Sequence, residues 1–200
     1  TGAALKNTVM SIVENYPPEV VACNMNLLGT HDTPRIRTAL VDDFNGSREA
    51  LASRFLSEEQ RKCSKQLLIL SAFLQYMLPG APSLYYGDEA GMEGGKDPFN
   101  RRTYPWGQED PDLLEHFRQL GSLRKEQEIL RLGNVEFFQS QGQKLGFSRT
   151  YQSRTLRIYV NRSKEIWHIP DAKVLYGRRL NTLAPNWLSL APMDFCVVEG

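Results

Sequence analysis

Apolar residues near the start of the chain recur at steps of three and four, the spacing that puts side chains on one face of a helix. The residues with this spacing are Leu5, Val9, Ile12 and Val13. Pro17 and Pro18 then stop the predicted helix. A mostly apolar run follows at residues 20–28 and ends at Gly29, as a buried parallel strand would, although periodicity alone does not exclude a helical turn.

The helical pattern returns over residues 58–78, where the apolar surface is too wide for an exposed helix and predicts packing against a sheet. Residues 81–87 predict a second short strand, followed by a loop rich in Gly and Pro over residues 91–105 and a third helix over residues 112–125. Strand, helix and strand in this order form the βαβ unit of parallel α/β folds. We therefore expect an α/β part over residues 1–126.

Beyond residue 126 the helical period gives way to short segments of alternating apolar and polar residues, separated by Gly, Asn, Ser and Pro. These segments lie at 135–138, 145–149, 156–160, 166–169 and 195–198. The pattern is typical of an antiparallel β-sandwich. The sequence thus predicts two domains, α/β over residues 1–126 and all-β over residues 127–200.

Composition narrows the choice of partners. The 200 residues carry 24 Lys and Arg and 23 Asp and Glu, a net charge of +1 without a basic stripe, so nucleic acid is not an expected partner. No apolar run approaches the roughly 20 residues of a membrane span.

Cys23, Cys63 and Cys196 match neither a zinc site nor a disulfide framework, and we interpret them as buried thiols. The sequence does not fix the compartment, and the cytoplasm is slightly favoured.

Polar residues collect where the two predicted strands end, which is where parallel α/β folds place functional groups. His31 and Asp32 follow the first strand. The polar residues after the second strand are Asp88, Glu89, Asp97, Asn100, Arg101 and Arg102. Carboxylates accept hydrogen bonds from sugar hydroxyls, whereas His and Arg donate to them, so this set suits a hydroxyl-rich ligand. Nearby aromatic side chains offer flat faces for sugar rings: Tyr85, Tyr86, Tyr104 and Trp106.

Several of these residues also have a structural interpretation. Asp32 is as well placed to cap a following helix as to act in catalysis, and His31 alone fits a hydrogen-bonded structural histidine. Tyr85 and Tyr86 fit the core, and Glu89 fits a buried ion pair with an arginine. The residues alone therefore indicate an α/β half-domain with a polar cleft and leave its chemistry open.

One segment closely resembles the fourth signature region of the α-amylase superfamily, glycoside hydrolase family 13, especially its neopullulanase, cyclomaltodextrinase and maltogenic amylase branch: residues 25–35, MNLLGTHDTPR. Residues 78–92 and 97–101 resemble the segment in which the last barrel strand of that family runs into its substrate loop. Residues 159–163 and 191–195 resemble the family's C-terminal β-sandwich. The resemblance covers essentially all 200 residues in the right order.

The resemblance implies the seventh and eighth strands of a (β/α)8 TIM barrel, followed by an antiparallel β-sandwich C-terminal domain. Enzymes of this family cleave α-glucosidic bonds with retention, using a nucleophilic carboxylate, a carboxylic acid and a third carboxylate. By position the third carboxylate is Asp32, which stabilises the oxocarbenium-like transition state, and His31 hydrogen-bonds the same sugar. Asp97 and Arg101 match the pair that contacts a sugar further along the donor side. No cofactor or metal ligand is implied, with calcium in the complete enzyme left open.

Two members of the family's catalytic set have no counterpart here. The nucleophile follows the fourth barrel strand and the acid follows the fifth, and nothing similar to either precedes residue 24. A whole barrel takes about 250 residues, roughly twice what precedes the predicted sandwich. The chain also begins at Thr1, without Met. We therefore expect a C-terminal portion of a hydrolase that cleaves an α-glucan, a maltooligosaccharide or a cyclodextrin, and we expect this portion to be inactive alone.

Two alternatives stay open at this point. One is a non-catalytic amylase-like module that binds sugar or a protein partner, and the other is a transferase or isomerase of the same superfamily. Thr30 departs from the Ser or Asn of many members without changing the role of Asp32. Two barrel strands without their neighbours leave unpaired edges, so a homodimer is a further expectation.

Overall fold

A computed structural model describes residues 1–43, 46–170, 172–178, 180–184 and 187–200 of the chain. The chain forms two compact units. The first comprises residues 1–24, 76–81 and 122–200, and the second comprises residues 25–75 and 82–121. The first unit thus combines the C-terminal strands with two earlier segments, and the domain boundary between residues 126 and 127 stays a prediction.

The described helices and strands include those that the sequence patterns predict and several that the patterns did not predict, and the strand predicted at residues 81–87 is extended only over Ala81–Ser83. The helices are α1 (Gly2–Asn15), α2 (Pro18–Cys23), α3 (Ile36–Ala39), α4 (Arg48–Ala52), α5 (Glu58–Met77), α6 (Pro111–Glu126) and α7 (Ile129–Leu132). The strands are β1 (Met25–Leu27), β2 (Ala81–Ser83), β3 (Asn134–Gln139), β4 (Lys144–Tyr151), β5 (Arg154–Asn161), β6 (Trp167–Pro170), β7 (Val174–Gly177), β8 (Leu180–Ala184), β9 (Trp187–Leu190) and β10 (Asp194–Glu199). The three predicted helices are confirmed as α1, α5 and α6.

The stretch predicted as a strand at residues 20–28 is divided between a helix and a strand. Its first part belongs to α2, and only Met25–Leu27 are extended as β1. Pro18 stands at the start of α2, where its fixed φ favours the helix and its missing N–H removes no helical hydrogen bond. The backbone N–H groups of Val20 and Val21 donate to the Pro17 carbonyl and begin the turn. The helical alternative therefore holds for the first half of this stretch.

β1 and β2 pair as a two-stranded sheet. A side chain of α5 connects residues of the two strands that belong to the second unit. The Gln75 amide nitrogen donates to the carbonyls of Asn26 in β1 and Ser83 in β2, at 2.7 and 2.9 Å. α5 also buries a wide apolar surface, as predicted, with Leu68 and Phe73 fully buried. These contacts fix the two strands at the point where the polar loops leave them.

Antiparallel strands dominate the first unit, as the alternating segments predict. The larger sheet has the strand order β3-β4-β5-β10-β7, and a second sheet has the order β6-β9-β8. Neighbouring strands in both sheets run antiparallel. Residues of both sheets meet in one apolar cluster of Tyr159, Cys196 and Val198 with Ile169, Leu188 and Leu190. The two sheets therefore face each other across a shared core, as in a β-sandwich.

Burial of the cysteines follows the prediction only in part. Cys196 lies in the shared core, where burial raises the pKa of its thiol to about 12, whereas Cys23 and Cys63 are exposed. The interpretation of these two as buried thiols was wrong. Both lie on helices, where neighbours in sequence occupy different faces and apolar neighbours do not imply burial. None of the described helices is long and apolar enough to cross a membrane.

We expect Leu190→Ala to lower the free energy of unfolding by about 2–5 kcal/mol, because it leaves a cavity between the two sheets, where Leu190 is fully buried. Leu132→Ala is the matched control, since Leu132 is 51% exposed. Its truncation should change stability by about 0.5 kcal/mol or less. Urea unfolding followed by circular dichroism gives both values, and equal losses for the two variants would contradict the shared core.

Candidate functional site

A short turn after β1 presents His31 and Asp32 to solvent. The backbone N–H of Thr30 donates to the Thr33 hydroxyl at 3.0 Å, and the backbone N–H of Asp32 donates to the Thr30 hydroxyl at 3.2 Å. The two threonines therefore satisfy backbone groups of the turn locally. The side chains of His31 and Asp32 are left 66% and 72% exposed.

Asp32 does not cap the helix that follows it. α3 begins at Ile36, its N-terminal flanking residue is Arg35, and no side chain makes a capping hydrogen bond there. The capping interpretation of Asp32 is therefore wrong, and the carboxylate is available for a different contact.

The four residues expected to bind sugar lie in one cluster. His31 Nε2 is 3.2 Å from Oδ2 of Asp32, and Arg101 Nη2 is 3.6 Å from Oδ1 of the same carboxylate. Arg101 Nε lies 3.0 Å from Oδ1 of Asp97. Asp32 thus stands between two positively polarised groups, while each of its oxygens keeps further acceptor capacity towards solvent. We call His31, Asp32, Asp97 and Arg101 the Asp32 cluster.

A buried amide holds the turn of the Asp32 cluster in place. Asn100 is fully buried, and its Nδ2 donates to the carbonyls of His31 and Thr33 at 2.7 and 2.8 Å. Arg101 Nε adds a third hydrogen bond, also to the His31 carbonyl, at 3.0 Å. The loop that carries Asp97 and Arg101 therefore fixes the backbone on both sides of Asp32.

The buried side chain of Arg35 lies beneath this site, and together with the groups that it contacts we call it the Arg35 centre. Its Nε donates to the Asn100 carbonyl at 2.7 Å, and its Nη1 donates to the carbonyl of Tyr86 and lies 3.4 Å from Oδ1 of Asp88. The guanidinium carbon lies 4.3 Å from the ring centroid of Tyr85 and 4.5 Å from that of Tyr86, which is cation–π geometry. One side chain thus joins the turn after β1 to the segment after β2.

Sequence reasoning missed this central role. A buried ion pair between an arginine and Glu89 was one of the interpretations left open, whereas Arg35 pairs with the neighbouring carboxylate of Asp88. Tyr85 and Tyr86 were interpreted as core residues or as faces for sugar, and both rings instead contact the Arg35 guanidinium. The available signal was a Pro-Arg pair directly after a polar turn, opposite two adjacent tyrosines.

Asp88 is buried, and its pKa is higher than that of an ordinary aspartate. Burial raises its pKa to about 6, although the Arg35 guanidinium acts in the opposite direction. One carboxylate oxygen of Asp88 lies 2.9 Å from the position that a Cβ on Gly29 would occupy. Any residue larger than glycine at position 29 would displace this carboxylate. The close approach of Asp88 therefore favours glycine at the position where the first apolar run ends.

Possible metal ligands are not grouped in the described part of the chain. Within the described part of the chain, no group of three or more His, Cys, Asp or Glu side chains is arranged to hold a metal ion. The chemistry that the Asp32 cluster offers is hydrogen bonding and charge stabilisation towards a polar ligand.

Comparison with known proteins shows which enzymes the chain is similar to. No family model matches the chain. An amylopullulanase of Thermoanaerobacter thermohydrosulfuricus is 44% identical over 147 residues, which cover 74% of this chain and 10% of the relative. A cyclomaltodextrinase of Geobacillus thermopakistaniensis is 34% identical, with 94% of this chain and 31% of the relative covered. These relatives are α-amylase family enzymes, and the chain is similar to a part of each.

A solved structure is similar to the chain along its whole length. The acarbose-soaked debranching enzyme of Nostoc punctiforme matches 100% of this chain and 38% of its own, with a TM-score of 0.75 and 27% identity. The resemblance inferred from residues 25–35 is therefore confirmed. The chain spans only about a tenth to a third of the length of the two curated relatives.

We expect Asn100→Ala to lower the free energy of unfolding by about 2–4 kcal/mol, because two carbonyls of the turn lose their buried donor. Asn7→Ala, at an exposed position of α1, is the matched control and should change stability by about 0.5 kcal/mol or less. Urea denaturation at neutral pH measures both. A similar small effect for the two variants would show that the amide does not hold the turn.

The raised pKa of Asp88 predicts a pH-dependent loss of stability. The folded protein binds this proton more tightly than the unfolded chain, so the contribution is present below about pH 4 and is lost as the pH rises to about 6. Between these values the wild type should lose on the order of 2–3 kcal/mol more than Asp88→Asn. Unfolding free energies of both proteins across pH 4–7 provide the measurement. If the unfolding free energies of the two proteins changed equally with pH, the raised pKa of Asp88 would be contradicted.

Proposed function

We propose that this chain is the C-terminal portion of a retaining α-glucan hydrolase and supplies its transition-state-stabilising carboxylate, Asp32. The observation that carries the proposal is the Asp32 cluster, in which an exposed carboxylate lies 3.2 Å from an imidazole and 3.6 Å from a guanidinium. The relatives are an amylopullulanase and a cyclomaltodextrinase, and the neighbouring solved structure is a debranching enzyme soaked with acarbose. Similarity to these enzymes supports the assignment of the carboxylate.

The proposed role of Asp32 follows from the charge that develops during cleavage. Glycosidic bond cleavage passes through an oxocarbenium-like state, in which positive charge grows on the sugar ring. A fixed carboxylate near that ring stabilises the charge, and it also accepts hydrogen bonds from the ring hydroxyls. The turn that carries Asp32 is held by Asn100 and by two threonine hydroxyls, so little reorganisation is needed when charge appears.

The remaining members of the Asp32 cluster are proposed to bind and orient the sugar chain. His31 donates to the sugar that Asp32 holds, and its exposed ring faces the same solvent region. Arg101 contacts both Asp32 and Asp97, so the guanidinium keeps a defined direction for a neighbouring sugar. Such positioning lowers KM and favours the productive geometry.

Two further parts of the proposal concern the rest of the enzyme. β1 and β2 are proposed to be the seventh and eighth strands of a (β/α)8 barrel, with the antiparallel sheets as the C-terminal domain. The nucleophile and general acid of the family have no counterpart in these 200 residues. We therefore propose that both lie elsewhere in the enzyme and that the isolated chain does not cleave glucans.

Calorimetric titration with maltotriose tests the role of Asp32. We expect Asp32→Ala to weaken binding at least about tenfold, because hydrogen bonds to a charged group are lost. Asp43→Ala, at another exposed aspartate, is the matched control and should bind as the wild type does. Equal affinity of wild type and Asp32→Ala would contradict the proposal, and a tight protein partner without sugar affinity would favour a binding module instead.

A hydrolysis assay tests the missing catalytic groups. The purified 22.8 kDa chain should release no reducing sugar from pullulan or cyclodextrin. Robust hydrolysis by material of that intact mass would contradict the assignment of the nucleophile and acid to another part of the enzyme.

A further inference from the structure

Trp106 is the most exposed large apolar side chain among the described residues, at 82% exposure. A single exposed apolar side chain is common on protein surfaces, whereas several apolar groups side by side mark a binding site. This side chain lies in the second unit, in the loop that also carries Asp97 and Arg101. Its surroundings therefore decide whether its exposure serves binding.

The backbone holds Trp106 in two consecutive turns. Its N–H donates to the Tyr104 carbonyl at 3.0 Å, which closes a three-residue turn around Pro105. The Gln108 N–H then donates to the Pro105 carbonyl at 2.9 Å, and Gly107 between them has φ +76°. A positive φ at the third position defines a type II turn, for which glycine is the suitable residue. Trp106 occupies the corner of this turn, where its side chain projects outwards.

The far end of the loop is also fixed. The Asp110 N–H donates to the Ala90 carbonyl at 3.1 Å, and the Asp110 carboxylate receives a hydrogen bond from Lys65 at 2.7 Å. The same carboxylate accepts from the Leu113 N–H at 3.3 Å at the start of α6. Trp106 is therefore exposed on a loop that is held at several points, so binding a ligand there orders little additional chain.

Tyr104 completes a two-ring surface with Trp106. The ring centroids lie 4.5 Å apart at an interplanar angle of 50°, which gives an angled pair instead of a flat stack. Burial raises the pKa of the Tyr104 hydroxyl, and the neighbouring carboxylates of Glu89 and Glu109 act in the same direction. The pair thus offers apolar ring faces beside hydrogen-bond acceptors.

This pair lies close along the chain to the Asp32 cluster. Tyr104 follows Arg101 by three residues, and the Cα atoms of Arg101 and Trp106 are separated by at most about 18 Å. The Tyr86 hydroxyl donates to the Arg102 carbonyl at 2.8 Å and connects the same loop to the Arg35 centre. A ligand of several sugar units that starts at the Asp32 cluster is long enough to reach this surface.

We propose that Tyr104 and Trp106 form an additional glucan-binding platform, which contacts sugar units beyond those held at the Asp32 cluster. The proposal rests on the proposed function, because it takes an α-glucan as ligand. Sugar rings have apolar C–H faces and hydroxyl edges, and the platform pairs aromatic faces with acceptors. The residues that follow Trp106 along the chain, Gly107, Gln108 and Glu109, are small or polar, unlike the apolar surroundings of a protein-binding hot spot.

Titration with two ligands of different length separates the platform from the Asp32 cluster. Maltoheptaose should bind the wild-type chain more tightly than maltotriose does. Trp106→Ala should weaken maltoheptaose binding about threefold to tenfold and leave maltotriose binding unchanged, whereas Trp106→Phe should retain most of the affinity. Trp187→Ala is the matched control, since Trp187 is 48% exposed in β9, and it should bind both ligands as the wild type does.

Tryptophan fluorescence provides a second readout. Maltoheptaose should change the emission of the wild-type chain, and the change should disappear in Trp106→Phe. Unchanged maltoheptaose affinity in Trp106→Ala would overturn the platform. If Asp32→Ala still weakened maltotriose binding in that case, the proposed function would stand without it. If Trp106→Ala weakened maltoheptaose binding and Asp32→Ala changed neither affinity, the platform would be supported and the role of Asp32 contradicted. If the wild-type chain bound neither ligand, both proposals would be contradicted.

Discussion

The buried guanidinium of Arg35 is the interaction on which the candidate site depends. It reaches the backbone of Asn100 and Tyr86, lies against two tyrosine rings and pairs with Asp88. A planar cation with several donors and two faces is suited to hold many groups at once, which lysine is not. The exposed Asp32 cluster is thus built on a buried polar centre and not on a flexible surface loop.

Burial of the ion pair between Arg35 and Asp88 has an electrostatic cost. Asp88 lies 3.4 Å from a permanent cation, yet burial still raises its pKa to about 6. A buried ion pair is weak evidence for stability, because desolvation offsets most of the attraction between its charges. The hydrogen bonds to backbone carbonyls explain better why Arg35 stays there, since they fix the geometry of the two loops. Gly29 belongs to the same arrangement, because any larger residue would displace the Asp88 carboxylate.

Local patterns in the sequence predicted local structure well. The apolar period identified α1, α5 and α6, and the alternating segments identified β3, β4, β5, β6 and β10 but not β7, β8 or β9. The four members of the Asp32 cluster were predicted through the family resemblance, and the cluster brings them together. Periodicity did not separate α2 from β1, because short apolar runs fit both structures. The pairing of Arg35 with Asp88 and the two hydrogen bonds of Asn100 join residues more than 50 positions apart, and no spacing rule connects such residues.

The most direct test of the account is a crystal structure of the chain with bound maltotriose. We expect a sugar with hydroxyl oxygens within about 3 Å of the Asp32 carboxylate, with His31 and Arg101 donating to the same or the next ring. A sugar bound only elsewhere on the chain, with Asp32 in contact with solvent alone, would contradict it.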